Sequence, residues 1–151
     1  MSNIANIVPN GIAPPVYLVD AVSGSPIYNQ DGIVLLKSAV ITANSNSEIQ
    51  ANNFARGIKV YIAPGAFGSG ASAITVSIQG FDPVSLSTFT MLTSASLTAS
   101  TFAVLTVAPG ITAASNVSIS DVLPRSWRVT WAASAWGTGG STLGIAAMLI
   151  I

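Results

Sequence analysis

The sequence predicts an all-β fold: a single antiparallel β-sandwich, with the jelly roll among the arrangements its strands allow, preceded by an extended N-terminal arm. Three observations carry this. Apolar residues alternate with period two from about residue 33 to the end, where helical periodicity is scarce. Clusters of Pro, Gly and Asp interrupt the alternation at short intervals. Ser and Thr supply the polar positions throughout, and β-branched Thr suits strands.

Residues 1–15 read as the arm. They carry no charge, two consecutive prolines at Pro14 and Pro15, and the apolar side chains of Ile4, Ile7, Val8 and Ile12. A disordered tail is normally richer in charge and poorer in isoleucine, so these four side chains are candidates for packing on the domain or on a neighbouring subunit.

Residues 16–151 read as the sandwich domain. Its first strands are expected at Val16–Asp20 and, after the Asp31-Gly32 hairpin signal, at Ile33–Thr42 and Glu48–Asn52. In Gly57–Ile62 the residues Ile58, Val60 and Ile62 share one face and Lys59 and Tyr61 the other, the pattern of a half-buried strand. After Ala63-Pro64-Gly65, the stretch Ala73–Phe81 sets Ile74, Val76 and Ile78 against the uncharged Thr75, Ser77 and Gln79. Beyond Asp82-Pro83, strands are expected at Ser87–Leu92, Phe102–Val107, Arg125–Trp131 and Leu143–Ile150, divided by Ala108-Pro109-Gly110, Leu123-Pro124 and the Gly137–Gly140 cluster. Eight or so short strands at this spacing suit a sandwich.

Two segments resemble each other, Lys59-Val-Tyr-Ile-Ala-Pro-Gly-Ala and Val104-Leu-Thr-Val-Ala-Pro-Gly-Ile, each followed by an alternating Val-x-Ile at Val76–Ile78 and Val117–Ile119. Either half of the sandwich is duplicated, or one common strand-to-turn solution is used twice.

Composition narrows the chemistry. Only 7 % of the 151 residues are charged, 50 % are hydrophobic, and there is no histidine or cysteine. A free soluble domain usually keeps about a quarter of its residues charged, so much of this surface is expected to face other protein. The five basic residues (Lys37, Arg56, Lys59, Arg125, Arg128) are scattered and the net charge is zero, which argues against nucleic acid as a partner. No basic n-region or leader-length apolar core opens the sequence, so it reads as a cytosolic start. The apolar end Leu143–Ile151 falls well short of the roughly 20 residues a membrane helix needs, so no membrane partner is expected.

A serine nucleophile would lack its usual base, no Gly-x-Ser-x-Gly elbow is present, and the usual zinc ligands are missing. The Gly65–Gly70 and Gly137–Gly140 stretches match no phosphate-binding motif and read as flexible turns or loops. No cofactor and no catalytic residue is therefore assigned. Two carboxylates alone could hydrolyse a glycoside, but Asp20, Asp31, Glu48, Asp82 and Asp121 all sit beside expected turns or strand ends. A calcium site at Asn29 and Asp31 competes with a simple turn there. Alternation puts Trp127, Val129 and Trp131 on one face, expected in the core, with Arg128 and Thr130 on the other. Trp136, beside the Gly-rich loop, is the better candidate for an exposed partner contact.

From about Ser38 to Trp131 the chain resembles small β-rich virion proteins of tailed bacteriophages. The likeness is carried by Ile74-Thr-Val-Ser-Ile-Gln-Gly-Phe-Asp-Pro-Val-Ser, Phe89-Thr-Met-Leu-Thr-Ser-Ala, Val104-Leu-Thr-Val-Ala-Pro-Gly-Ile-Thr-Ala-Ala and Val122-Leu-Pro-Arg-Ser-Trp-Arg-Val-Thr. Phe81 and Ala108 depart from that pattern, in which a lysine and an aromatic residue stand at these places. The resemblance implies a non-enzymatic virion component, most like a capsid decoration (cement) protein. Such a protein docks on the major capsid protein and on its own copies, as a homo-oligomer expected to be a trimer, on the capsid surface after synthesis in the host cytoplasm. The alternative within the virion is a tail or fibre component that binds a host-surface glycan. A carbohydrate-active enzyme built on Asp82 or Asp121 is the rival outside it.

Overall fold

The computed structural model describes residues 33–82, 84–85 and 87–151. The arm (1–15) with Ile4, Ile7, Val8 and Ile12, the expected strand Val16–Asp20, the Asn29 and Asp31 calcium candidate and the Asp31-Gly32 turn lie outside the described residues.

Among the described residues there are ten strands and no helix: β1 (Ile33–Ile41), β2 (Ser45–Asn46), β3 (Gln50–Ala51), β4 (Gly57–Pro64), β5 (Ile74–Phe81), β6 (Thr88–Thr93), β7 (Ala103–Val107), β8 (Ser118–Ile119), β9 (Ser126–Ala133) and β10 (Ser141–Ile150). One sheet has the order β1-β10-β4-β7-β8, the other β2-β9-β5-β6, with β3 also pairing with β9. Every pairing is antiparallel except the two-residue β7–β8 contact. Leaving out the short β3 and β8, successive strands change sheet except at the β5–β6 hairpin, in the order of two interlocked Greek keys. The sandwich is a jelly roll.

Alternation decides which residues meet between the sheets. Ile58, Val60 and Ile62 of β4, Leu105 and Val107 of β7, and Leu143, Ile145 and Ala147 of β10 face Ile74, Val76 and Ile78 of β5 and Trp127, Val129 and Trp131 of β9, all buried in one apolar cluster. The two indoles belong to the core, as their spacing predicts.

The repeated Ala-Pro-Gly segments do not mark repeated halves. β4 and β7 are antiparallel neighbours, so their Pro-Gly turns leave opposite ends of one sheet. The Val-x-Ile that follows then crosses to the other sheet as β5 in one case and stays beside β7 as β8 in the other.

Of the expected strand Glu48–Asn52 only Gln50–Ala51 forms, with a separate fragment before it at Ser45–Asn46, and the physical reason for the break is Ser47. Its N–H donates to the Val129 carbonyl (2.8 Å), while its hydroxyl oxygen accepts the Val129 N–H (3.1 Å) and donates to the Glu48 carbonyl (2.9 Å). The side chain thus replaces a main-chain acceptor, and the strand bends away. Ser94 does the same at β5, its N–H donating to the Val76 carbonyl (2.8 Å) and its hydroxyl accepting the Val76 N–H (3.0 Å). Both serines are buried.

The glycine clusters are packed structure, not loose loops. Thr138 donates its N–H to the Ser69 carbonyl at 2.9 Å, joining the two stretches. A Cβ on Gly68 would lie 2.5 Å from the Thr138 carbonyl oxygen, and one on Gly137, already at φ +71°, 2.6 Å from that of Gly68. Only glycine allows this approach.

The sheet edges are blunted against strand addition. β2, β3 and β8 are two residues long, and β6 carries a bulge at Met91. β1 is bulged at Leu36, which places Lys37 opposite the buried Ile145, on the inward row of an edge strand. Its ammonium reaches over the Trp131 ring, 5.9 Å from the centroid.

Ser47→Ala leaves a buried Val129 N–H without its acceptor and should cost about 1–3 kcal/mol. Ile145→Ala, in the middle of the core, should cost about 2–5 kcal/mol. Guanidinium denaturation of the two variants checks both.

Candidate interaction surfaces

The outward residues of the five-stranded sheet form rows across its strands. Met148, Lys59 and Thr106 make one row, Leu35, Ala146, Tyr61 and Val104 the next, then Ser38, Gly144 and Ala63, then Val40 and Thr142. Phe102 extends the second row, its ring centroid 6.4 Å from that of Tyr61. Leu35 is 70 % exposed, Phe102 62 % and Val40 58 %. Lys59 is the one charged side chain among these strand positions. Beyond it, Lys59 and Arg56 line a cavity of about 300 Å³ with Thr106, Pro109, Ile111 and Ile150.

The outward face of the other sheet is polar. Thr75, Ser77 and Gln79 of β5 lie beside Thr90 and Thr93 of β6 and Arg128 and Thr130 of β9. Ser77 and Thr93 share a hydroxyl hydrogen bond of 2.8 Å. Arg128 donates its Nε–H to the Gln79 carbonyl oxygen at 3.0 Å, and its guanidinium carbon stands 5.3 Å from the Phe81 ring centroid. Neighbouring side chains thus satisfy one another across this face.

The two ends of the sandwich differ in charge. One end gathers residues 42–44, 65–73, 94–102 and 134–140, joined by the Thr138–Ser69, Ser72–Ala135 and Ser100–Pro64 backbone bonds. None of these residues is charged; they are mostly Gly, Ala, Ser and Thr. The opposite end carries Arg56, Asp82, Asp121 and Arg125. Sequence inspection misses this division because the four uncharged loops are far apart along the chain.

Trp136 lies at the uncharged end, half-buried, with its ring packed against the core. Its indole N–H donates to the Asn44 side-chain oxygen (2.8 Å), which also accepts the Ala133 N–H (2.9 Å). The residue ties loop 42–44 to β9 and presents only part of its ring outward. Trp127 and Trp131 are almost wholly enclosed, and their indole N–H groups have no hydrogen-bond partner among the described residues.

The acids hold turns. Asp82 accepts the Ser85 hydroxyl (2.6 Å) and the Val84 N–H (2.9 Å). These bonds, the hydroxyl's first, hold its carboxyl below the ordinary value of 3.8. That is the wrong direction for a general acid, which needs a raised pKa. Asp121 accepts the Val122 N–H at 2.7 Å. Among the described residues no group of three acids comes together as a metal site.

No protein-family model matches the chain, and no curated protein matches it. Function has to be read from these surfaces.

Because the Asp82 carboxyl is depressed, it stabilises the β5–β6 turn above the ordinary carboxylate pKa, and that stabilisation is lost as pH falls through the folded value. Asp82→Ala should melt below the parent at neutral pH, with the gap closing in acid; thermal melts across pH measure it.

Proposed function

We propose that this protein is a non-enzymatic virion structural protein: a capsid decoration, or cement, protein that binds the outer capsid surface and stabilises contacts between adjacent capsomers. The observation that carries this reading is the uncharged end of the sandwich. Removing a charge from water costs several kcal/mol per ion even after the protein relaxes. An end made of Gly, Ala, Ser and Thr is spared that cost when another protein covers it. Its packed glycines also pre-order the backbone, which limits the entropy lost on docking.

Three further features support the same reading. The zero net charge avoids long-range repulsion among many copies on one shell. Blunted edges direct contacts to loops and faces instead of strand addition. The resemblance to tailed-phage virion proteins points to the major capsid protein and to copies of this chain as partners. Those copies would form a symmetric homo-oligomer, expected to be a trimer. The jelly roll itself does not decide the matter, since it also serves lectins and cupins. Trp136 offers a poor sugar platform, because its ring is half-buried against the core.

Quantitative mass spectrometry of purified virions tests the assignment. A copy number equal to the major capsid protein, or a simple fraction of it, is expected; a handful of copies would move the protein to the tail. Ala99→Glu or Ser134→Glu, each placing a charge at the uncharged end, should abolish capsid binding while Val84→Glu at the other end leaves it intact. Deleting residues 1–15 should weaken capsid binding without unfolding the domain, and equal binding would remove the arm from the mechanism.

A further inference from the structure

The outward face of the five-stranded sheet is built to be covered. From Leu143 on, β10 carries no polar side chain at either parity, with Leu143, Ile145, Ala147 and Leu149 turned inward and Ala146, Met148 and Ile150 outward. An antiparallel sheet with one wet face alternates apolar with polar residues, whereas a strand apolar on both sides belongs to a sheet covered on both. The middle row, Leu35, Ala146, Tyr61 and Val104, holds a single polar atom in its side chains, the Tyr61 hydroxyl.

Charge identifies the cover. The full sequence is neutral, but its charges are unevenly divided: residues 1–32 hold two acids, Asp20 and Asp31, and no base, while residues 33–151 hold five bases and three acids. The first part is therefore −2 and the rest +2. On the apolar face the charged groups are Lys59 and, at its rim, Arg56, in a cavity lined by no Asp or Glu side chain. The same face of a second copy would offer no acid to pair with them.

Connectivity agrees. The chain enters β1 at Ile33, whose backbone pairs with Met148, which pairs in turn with Lys59. With strands about 4.8 Å apart, the entry point lies roughly 10 Å from Lys59. Asp31 is two residues upstream, and the 13 residues from Asp20 to Ile33 can span up to about 45 Å, so both acids have ample reach. A short tether also raises the effective concentration of the chain's own segment to the millimolar range, above that of any other copy.

We propose that residues 16–32 fold back over the outward face of the five-stranded sheet of their own chain. Their apolar side chains (Val16, Leu18, Val19, Ile27) cover the Leu35–Ala146–Tyr61–Val104 row, and Asp20 and Asp31 meet Lys59 and Arg56. The sheet is then covered on both sides, and residues 1–15 are the part left to reach a neighbour. This assignment does not rest on the capsid role.

Photocrosslinking tests it in the full chain. With p-benzoylphenylalanine in place of Tyr61, irradiation and peptide mass spectrometry should find adducts in residues 16–32, in material of single-chain mass. Adducts elsewhere only, or adducts to 16–32 found only at twice the chain mass, overturn the proposal; the second result would mean that the segment is exchanged between copies. The same probe at Val104 repeats the measurement should the Tyr61 variant fail to fold, and at Thr93, on the other sheet, it should give no such adduct. Lys59→Glu with Arg56→Glu should lower the yield at least threefold, and Asp20→Lys with Asp31→Lys should restore it. A yield insensitive to these changes overturns the charge pairing.

Discussion

The structure depends on β10 being paired on both sides. It is the last strand in the chain, yet it lies between the first described strand and the fourth, with Ile41 opposite Ser141 in one ladder and Ile150 opposite Gly57 in the other. Until it is in place, β1 has no ladder and the core lacks Leu143, Ile145 and Ala147. Pairings between distant parts of the chain form only after long loops close, which makes such folds slow to assemble and cooperative once assembled. The insertion of β10 also separates an inner apolar surface, which is the core, from an outer one that calls for a cover.

With so few ions, the molecule is finished by hydroxyls and bare backbone. Ser47 and Ser94 take main-chain N–H groups where strands leave their sheets. Asn52 closes the charged end, donating to the Ala55 and Leu123 carbonyls and accepting the Ala55 N–H. At the uncharged end glycines bring two loops into backbone contact. Apart from the Trp127 and Trp131 indoles, the buried polar side chains among the described residues are paired, and short side chains pair with little loss of rotamer freedom. Among the described residues the charged side chains lie at the other end, on the sheet faces and, for Lys37 and Glu48, along the edge strands, so charge is unevenly spread over the molecule.

Much of this could be read in advance where the signal is local. The Ile74–Val76–Ile78 and Trp127–Val129–Trp131 stripes announce their inward faces, since a period of two has only one geometric meaning in a strand. The limits of Glu48–Asn52 could not be read, because Ser47 ends the strand through a hydrogen bond to Val129, far along the chain. Nor could β8, two residues held by β7. The Gly65–Gly70 and Gly137–Gly140 stretches looked flexible because nothing local shows that each is the other's packing partner. Trp136 looked exposed for the same reason, its partner Asn44 lying on another loop.

The sequence by itself determined the all-β class, the inward faces of β4, β5 and β9, the core placement of two tryptophans and the scarcity of ionic chemistry, all properties of residues within a few positions of one another. Tertiary structure alone decided the jelly-roll order, the meeting of four uncharged loops at one end and the apolar row that β1, β10, β4 and β7 build together. Alternating strands of similar composition are nearly interchangeable as local units. Which of them become neighbours is decided by how all their inward faces pack at once, and the surfaces that carry function are made only when that choice is complete.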